Sequence, residues 1–241
     1  HEFGHAYFMG ILASNEFEEP WLDEGVNSYW EGRIMDHYYG NRSGMIDHRL
    51  FSVSDNSLLR LSYVRSSVRQ IASNRELSWN YPRGSYYMLS YQKAATLLRT
   101  LEGIIGEKTM DNIFREYYGK WAFRHPRGKD FIEVVSEVVR KEHGEKYGPD
   151  MNWFFDQTLY GTGICDYRVS QIVNSRHFKP EGLTEYEDTD EESQDSDSLY
   201  TAIAMVDRLG EVMLPVEVLV HFTNGDEILE VGDVGALHRR R

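Results

Sequence analysis

Cysteine is almost absent from this 241-residue chain: Cys165 stands alone, so no intrachain disulfide can form and nothing marks an oxidising compartment. Beside Gly163 and Ile164, it reads as a small buried residue rather than a nucleophile. No apolar run approaches the roughly 20 residues of a membrane-spanning helix, so none is expected. Positive charge is also scarce. Lys and Arg number 26 against 39 Asp and Glu, a formal net charge of −13, which is the wrong sign for a nucleic-acid partner. The basic tail Arg239-Arg240-Arg241 is too short to change that.

What is present begins with the first residues, His1-Glu2-Phe3-Gly4-His5. On an α-helix, residues four apart project from one face, so His1 and His5 can offer two imidazole nitrogens to one ion, with Glu2 beside them. A catalytic zinc ion takes three protein ligands and keeps one position open. The candidate third ligand is Glu24 in Trp21-Leu22-Asp23-Glu24-Gly25, with eighteen residues between it and His5. A turn near Glu16 to Pro20 and a second helix from about Trp21 would bring that carboxylate back against the histidines. These three ligands, with Glu2 as base, form a constellation for metal-assisted hydrolysis of a peptide bond.

The pattern H-E-x-x-H, then eighteen residues, then Glu within W-L-D-E-G resembles the aminopeptidase-N type of zinc metallopeptidase, the gluzincins that also include leukotriene hydrolase. The likeness is to a bacterial-like member. The usual family wording is W-L-N-E-G, so Asp23 is a departure, as is Ala6-Tyr7 where the family often carries x-W. Tyr91-Gln92-Lys93-Ala94 resembles the family's Y-x-K-G/A segment, whose tyrosine donates to the oxyanion. With Leu101 to Gly106, Asp130-Phe131 and Trp153 to Phe155, the resemblance extends from residue 1 to about 165. It implies one zinc ion on His1, His5 and Glu24, Glu2 as the general base, Tyr91 as the oxyanion donor and a peptide as substrate. Without the resemblance, Tyr91 would read as a core or surface residue among sixteen tyrosines.

Two further residues are candidates for supporting roles. Glu31 lies seven residues after Glu24, on the same helical face, and could accept the spare N–H of a ligand histidine or stand as a solvated carboxylate. Tyr86 is a second, weaker candidate for the cleft. His37, His48, His125 and His143 read as structural or surface residues.

The fold class expected is mainly α: the helical catalytic part of a thermolysin-like metallopeptidase domain over 1–163, then a small β-sandwich-like domain over 164–241. A metal ligand at position 1, with no cap or methionine before it, reads as a fragment that starts inside the zinc helix and ends before the last strands. The compartment is therefore not readable, and an extracytoplasmic or membrane-associated parent is compatible. Oligomeric state is equally unmarked.

Along the chain, Phe3, Ala6, Tyr7, Met9, Gly10 and Leu12 are dense enough to predict a buried helix over 1–12. Helical patterning follows over 24–38, with Gly25 placed for close helix approach. Residues 40–85 are poorly periodic, apart from a short helix near 57–70. Further helices are predicted over 85–101, 107–118, 130–142 and 150–159, the third capped by Asp130 with Glu133 completing the box. Strand alternation appears over 167–173, 200–205 and 212–220, and Thr223-Asn224-Gly225-Asp226 signals a hairpin. The acidic stretch 185–198 reads as a solvated loop, with a calcium site as the sharper alternative.

The leading functional expectation is a zinc aminopeptidase. The alternatives are an endopeptidase or another hydrolase at the same metal, and a non-catalytic scaffold that binds a peptide or partner.

Overall fold

The computed structural model describes residues 1–40, 46–67, 71–176 and 200–232. They divide into two compact units: His1–Ile164 together with Val212–Arg241, and Cys165–Glu211.

The first unit is helical. After a short α1 (His5–Phe8) and a 3₁₀ turn at Pro20–Leu22 comes α2 (Glu24–Tyr39). A hairpin of β1 (Ile46–His48) and β2 (Phe51–Val53) leads to α3 (Asp55–Arg65). A π-helical turn, Met88–Lys93, runs into α4 (Ala94–Ile105), then α5 (Glu107–Trp121), α6 (Gly128–His143) and α7 (Asn152–Thr158).

Apolar residues three and four apart decide how these helices pack. In α4, Ala94, Leu97, Leu98, Leu101 and Ile105 are buried; in α6, Phe131, Val134, Val135, Val138 and Val139 are. Aromatic rings close the core, with Trp21 and Tyr117 edge-on to Phe131 at 5.9 and 5.0 Å. Arg33 of α2 pairs with Glu102, Glu107 and Asp111 and lies 4.8 Å over the Trp30 ring, a polar tie between α2, α4 and α5.

Several expectations are corrected by this packing. The segment 1–12 is not a buried helix: Phe3, Tyr7 and Met9 are 78%, 41% and 40% exposed. Past Phe8 the turns widen, with Gly10 N–H bonding His5 O and Leu12 N–H bonding Tyr7 O, so α1 cannot continue. One side of the segment packs inward, Phe8 against Phe114 and Leu12 in the core, and the other faces out. Asp130 is not an N-cap. α6 starts two residues earlier, and the Asp130 carboxylate reaches back to the Arg127 N–H at 2.8 Å. The helix near 57–70 begins instead at Asp55, because the Ser54 hydroxyl caps it by accepting from Ser57 N–H. β1 and β2 had no sequence signal, since three residues are too few to show alternation.

Val212 and Leu214 do not open a strand. They are buried among the helices, and Gln157 of α7 accepts from the Met213 N–H at 2.8 Å. The strand begins at Val216: β5 (Val216–His221) pairs antiparallel with β6 (Glu227–Gly232) across the expected Asn-Gly turn. The described residues from Val212 onward group with the helices.

The second unit is the antiparallel pair β3 (Tyr167–Arg176) and β4 (Tyr200–Arg208), with a register shift between Val169 and Gln171. The two hairpins form separate two-stranded sheets. Cys165 is exposed, not buried as its small apolar neighbours had implied. The stretch 185–198, with its loop and calcium readings, lies outside the described residues, as does the basic tail.

Candidate metal centre

His1 precedes α1 and is joined to it by a turn, Gly4 N–H bonding His1 O at 2.9 Å. The two imidazoles nevertheless stand together, with centroids 4.9 Å apart. The 3₁₀ turn at Pro20–Leu22 redirects the chain so that Glu24, the first residue of α2, faces them. His1 Nε2 lies 3.1 Å and His5 Nε2 3.6 Å from the same oxygen, Glu24 Oε2. Ligand atoms of the three residues all lie within 4.8 Å of one another, and Glu24 and His5 are partly buried.

Each imidazole is tethered at its other nitrogen. His1 Nδ1 meets Glu31 Oε2 at 3.1 Å, and His5 Nδ1 meets Asp23 Oδ2 at 2.8 Å. With Nδ1–H given to a carboxylate, each Nε2 presents its lone pair toward Glu24, the tautomer a metal requires. Zinc bonds of about 2.0–2.2 Å in a tetrahedron separate ligand atoms by about 3.3–3.6 Å. The two spacings to Glu24 fall around that range, and two nitrogens with one carboxylate are a ligand set that zinc takes. The residues therefore fit the ion.

Tyr91 stands beside the cluster, on the π-helical turn that Gly25 lets approach. A Cβ on Gly25 would lie 2.3 Å from Ala94 Cβ and 2.7 Å from Ser90 O, so only glycine lets α2 meet the π-helical turn this closely. Such turns insert an extra residue and re-aim side chains. The Tyr91 ring stacks on His1 with centroids 5.8 Å apart and an interplanar angle of 16°, and Tyr87 stacks behind it at 4.6 Å. Burial and hydrogen bonding to Glu24 raise the Tyr91 pKa, keeping the hydroxyl a donor. Lys93, two residues on, is buried and bonds Leu159 O and Gly161 O at 2.7 and 2.8 Å, anchoring the turn to the end of α7.

Glu2 is exposed and touches the cluster through its field. Burial opposes protonation of His5, yet the Asp23 hydrogen bond and charge, with Glu24 and Glu2 behind them, outweigh it and raise the His5 pKa. Tyr86 is half-exposed; burial and the charges of Glu24 and Glu16 raise its pKa, so it borders the cluster without bonding a candidate ligand. His125 and His143 lie elsewhere, bonding Ala13 O and Thr109 respectively. A cavity of about 350 Å³ lined by Asp36, Ser54, Asn56, Arg60 and Arg99 is separate from the histidines, and its charges are largely spent on one another, Arg99 on Asp36 and Asn56 on Asp36.

Two residues at the centre carried no signal of their own in the sequence. Asp23 stood only as a one-letter departure from a family word. Asn27, four residues later and therefore above it on the helix, donates to Asp23 Oδ1 at 3.1 Å.

Comparison with known proteins supplies the family. Residues 1–157 match the model described as peptidase family M1 domain. The chain is similar to a protein named Leucine aminopeptidase 2 from Emericella nidulans, 22% identical over 172 residues, covering 68% of this chain and 26% of that protein. It is similar also to Glutamyl aminopeptidase from Sus scrofa, 26% identical over 141 residues (57% of this chain, 14% of that one). A protein named Leukotriene A-4 hydrolase homolog from Botryotinia fuckeliana is 24% identical over 198 residues (75% and 29%). The chain thus spans less than a third of the length of each of these three relatives. With a family match over most of its length and a histidine pair facing a distant glutamate, the chain belongs to peptidase family M1.

Proposed function

We propose that this chain is the catalytic portion of a zinc-dependent aminopeptidase, holding one zinc ion on His1, His5 and Glu24. The observation that carries the reading is the convergence of both Nε2 atoms on Glu24 Oε2, at 3.1 and 3.6 Å. Bound there, the ion would acidify water and polarise the scissile carbonyl.

The chain's own residues do the rest. Glu2, beside the histidines and open to solvent, accepts the proton of the attacking water and passes it to the leaving amine. The Tyr91 hydroxyl, on a ring stacked over His1, donates to the oxyanion that forms, a contribution of about 3–4 kcal/mol for such a donor. Glu31 keeps the His1 ring in register.

Preference for a free amino terminus is supported by the names of the relatives and by charge. Asp23, Glu24, Glu31 and Glu2 cluster here, so four carboxylates exceed a divalent cation and leave a field that favours an ammonium group. The test uses the full-length protein: zinc content together with hydrolysis of aminoacyl amides against their N-acetylated forms. Stoichiometric zinc with turnover of only the free-amine substrates is expected. Equal turnover of both would make it an endopeptidase, and no turnover with zinc bound would make it a scaffold.

A further inference from the structure

The two candidate histidine ligands are not supported alike. Glu31, which meets His1 Nδ1, has a side chain 43% exposed, whereas Asp23, which meets His5 Nδ1, has a side chain 1% exposed. A solvated carboxylate is screened and free to leave; a buried one without partners would be costly, so it stays where its partners hold it.

Asp23 is held at both oxygens. Oδ2 takes the His5 Nδ1–H at 2.8 Å and Oδ1 accepts from Asn27 Nδ2 at 3.1 Å. The Asn27 amide also lies 2.9 Å from His5 Nδ1, but that proton belongs to Asp23, so the amide's donated bond is the one to Oδ1. Room for Asn27 comes from Gly4: a Cβ there would lie 1.8 Å from Asn27 Oδ1. The space that a side chain at Gly4 would take, next to His5 in the chain, is thus filled by the residue that locks Asp23.

We propose that Asp23 is a positioning residue for the metal, clamped by Asn27 in the space left by Gly4, and that it makes His5 the stronger of the two histidine ligands. The proposal rests on the zinc reading above. A carboxylate on Nδ1 fixes the tautomer and ring angle and makes Nε2 a better donor; the buried Asp23 does this fully and the solvated Glu31 only in part.

The experiment measures zinc affinity of the full-length protein by chelator competition, beside thermal unfolding of the metal-free form, in wild type, D23N, E31Q and N27A. D23N is expected to weaken zinc about 10- to 100-fold, E31Q less than D23N, and N27A in the direction of D23N. Wild-type affinity in D23N, or a larger loss in E31Q, overturns the proposal. So does a fall in metal-free stability with affinity unchanged, the signature of a purely structural aspartate. Should D23N not fold, N27A decides, since it keeps the carboxylate but frees it: unchanged affinity there overturns the clamp. Wild-type protein without zinc sinks the metallopeptidase reading and this inference together, whereas zinc-replete wild type with an unmoved D23N sinks the inference alone.

Discussion

At the scale of single residues, Glu2 and Tyr91 have separable duties. Glu2 is exposed and bonds no candidate ligand, so removing its charge should leave the metal in place. Glu2→Gln is expected to abolish peptide hydrolysis while zinc content stays at one per chain; retained turnover would remove Glu2 as the base. Tyr91→Phe keeps the ring stacked on His1 and deletes only the donor. Its kcat should fall about 10²- to 10³-fold with little change in KM, as steady-state kinetics would show. His1, His5 and Glu24 could be singled out together as candidate ligands from spacing, because residue types and intervals are what a metal selects. Asp23 and Asn27 could not, because a hydrogen-bond partner is defined by where a side chain ends up, and both letters occur freely on solvated helix faces.

At the scale of elements, the centre depends on how closely α2 approaches the π-helical turn. Gly25→Ala places a methyl group against Ala94 and Ser90, and overpacking of this kind costs about 1–3 kcal/mol. Lower thermal stability together with weakened zinc binding is expected, since Glu24 is the adjacent residue. A variant as stable as wild type would mean the helices can part without cost. The anchor of that turn should be visible in pH. Burial pushes the Lys93 pKa down to about 7 from 10.5. Between those values the unfolded chain holds a proton that the folded chain has released, so stability rises with pH across that window, by at most about 1.4 kcal/mol per unit. Below about 7 the full cost of the buried charge is carried. Lys93→Met should flatten the slope, measured by urea unfolding at several pH values. The strong helices α4, α5 and α6 were legible as periodic apolar stripes. The π turn was not, since its residues read as an ordinary helix and only the backbone hydrogen bonding shows the wider turn.

At the scale of the whole molecule, the metal would join the turn at residues 1–5 to α2, two segments separated in sequence. Ligand that binds only the folded form stabilises it by mass action, about 2.7 kcal/mol at a concentration 100 times Kd. Zinc should therefore raise the unfolding temperature and a chelator should lower it; a temperature indifferent to both would mean that the folded form binds no zinc. Among the described residues no helix is long and apolar enough to cross a membrane.

The sequence by itself determined the candidate ligand set and the helical core: two imidazoles at a helical interval, a carboxylate eighteen residues on, an acidic balance, and amphipathic stripes. Those are properties of composition and period, which survive without coordinates. Only the tertiary structure decided which carboxylate supports which histidine, that Val212 and Leu214 turn back into the helical core, and that α1 stops after Phe8 with its outer side exposed. Each of those depends on which distant surface a side chain meets, and burial is settled by that meeting rather than by the residues beside it in the chain.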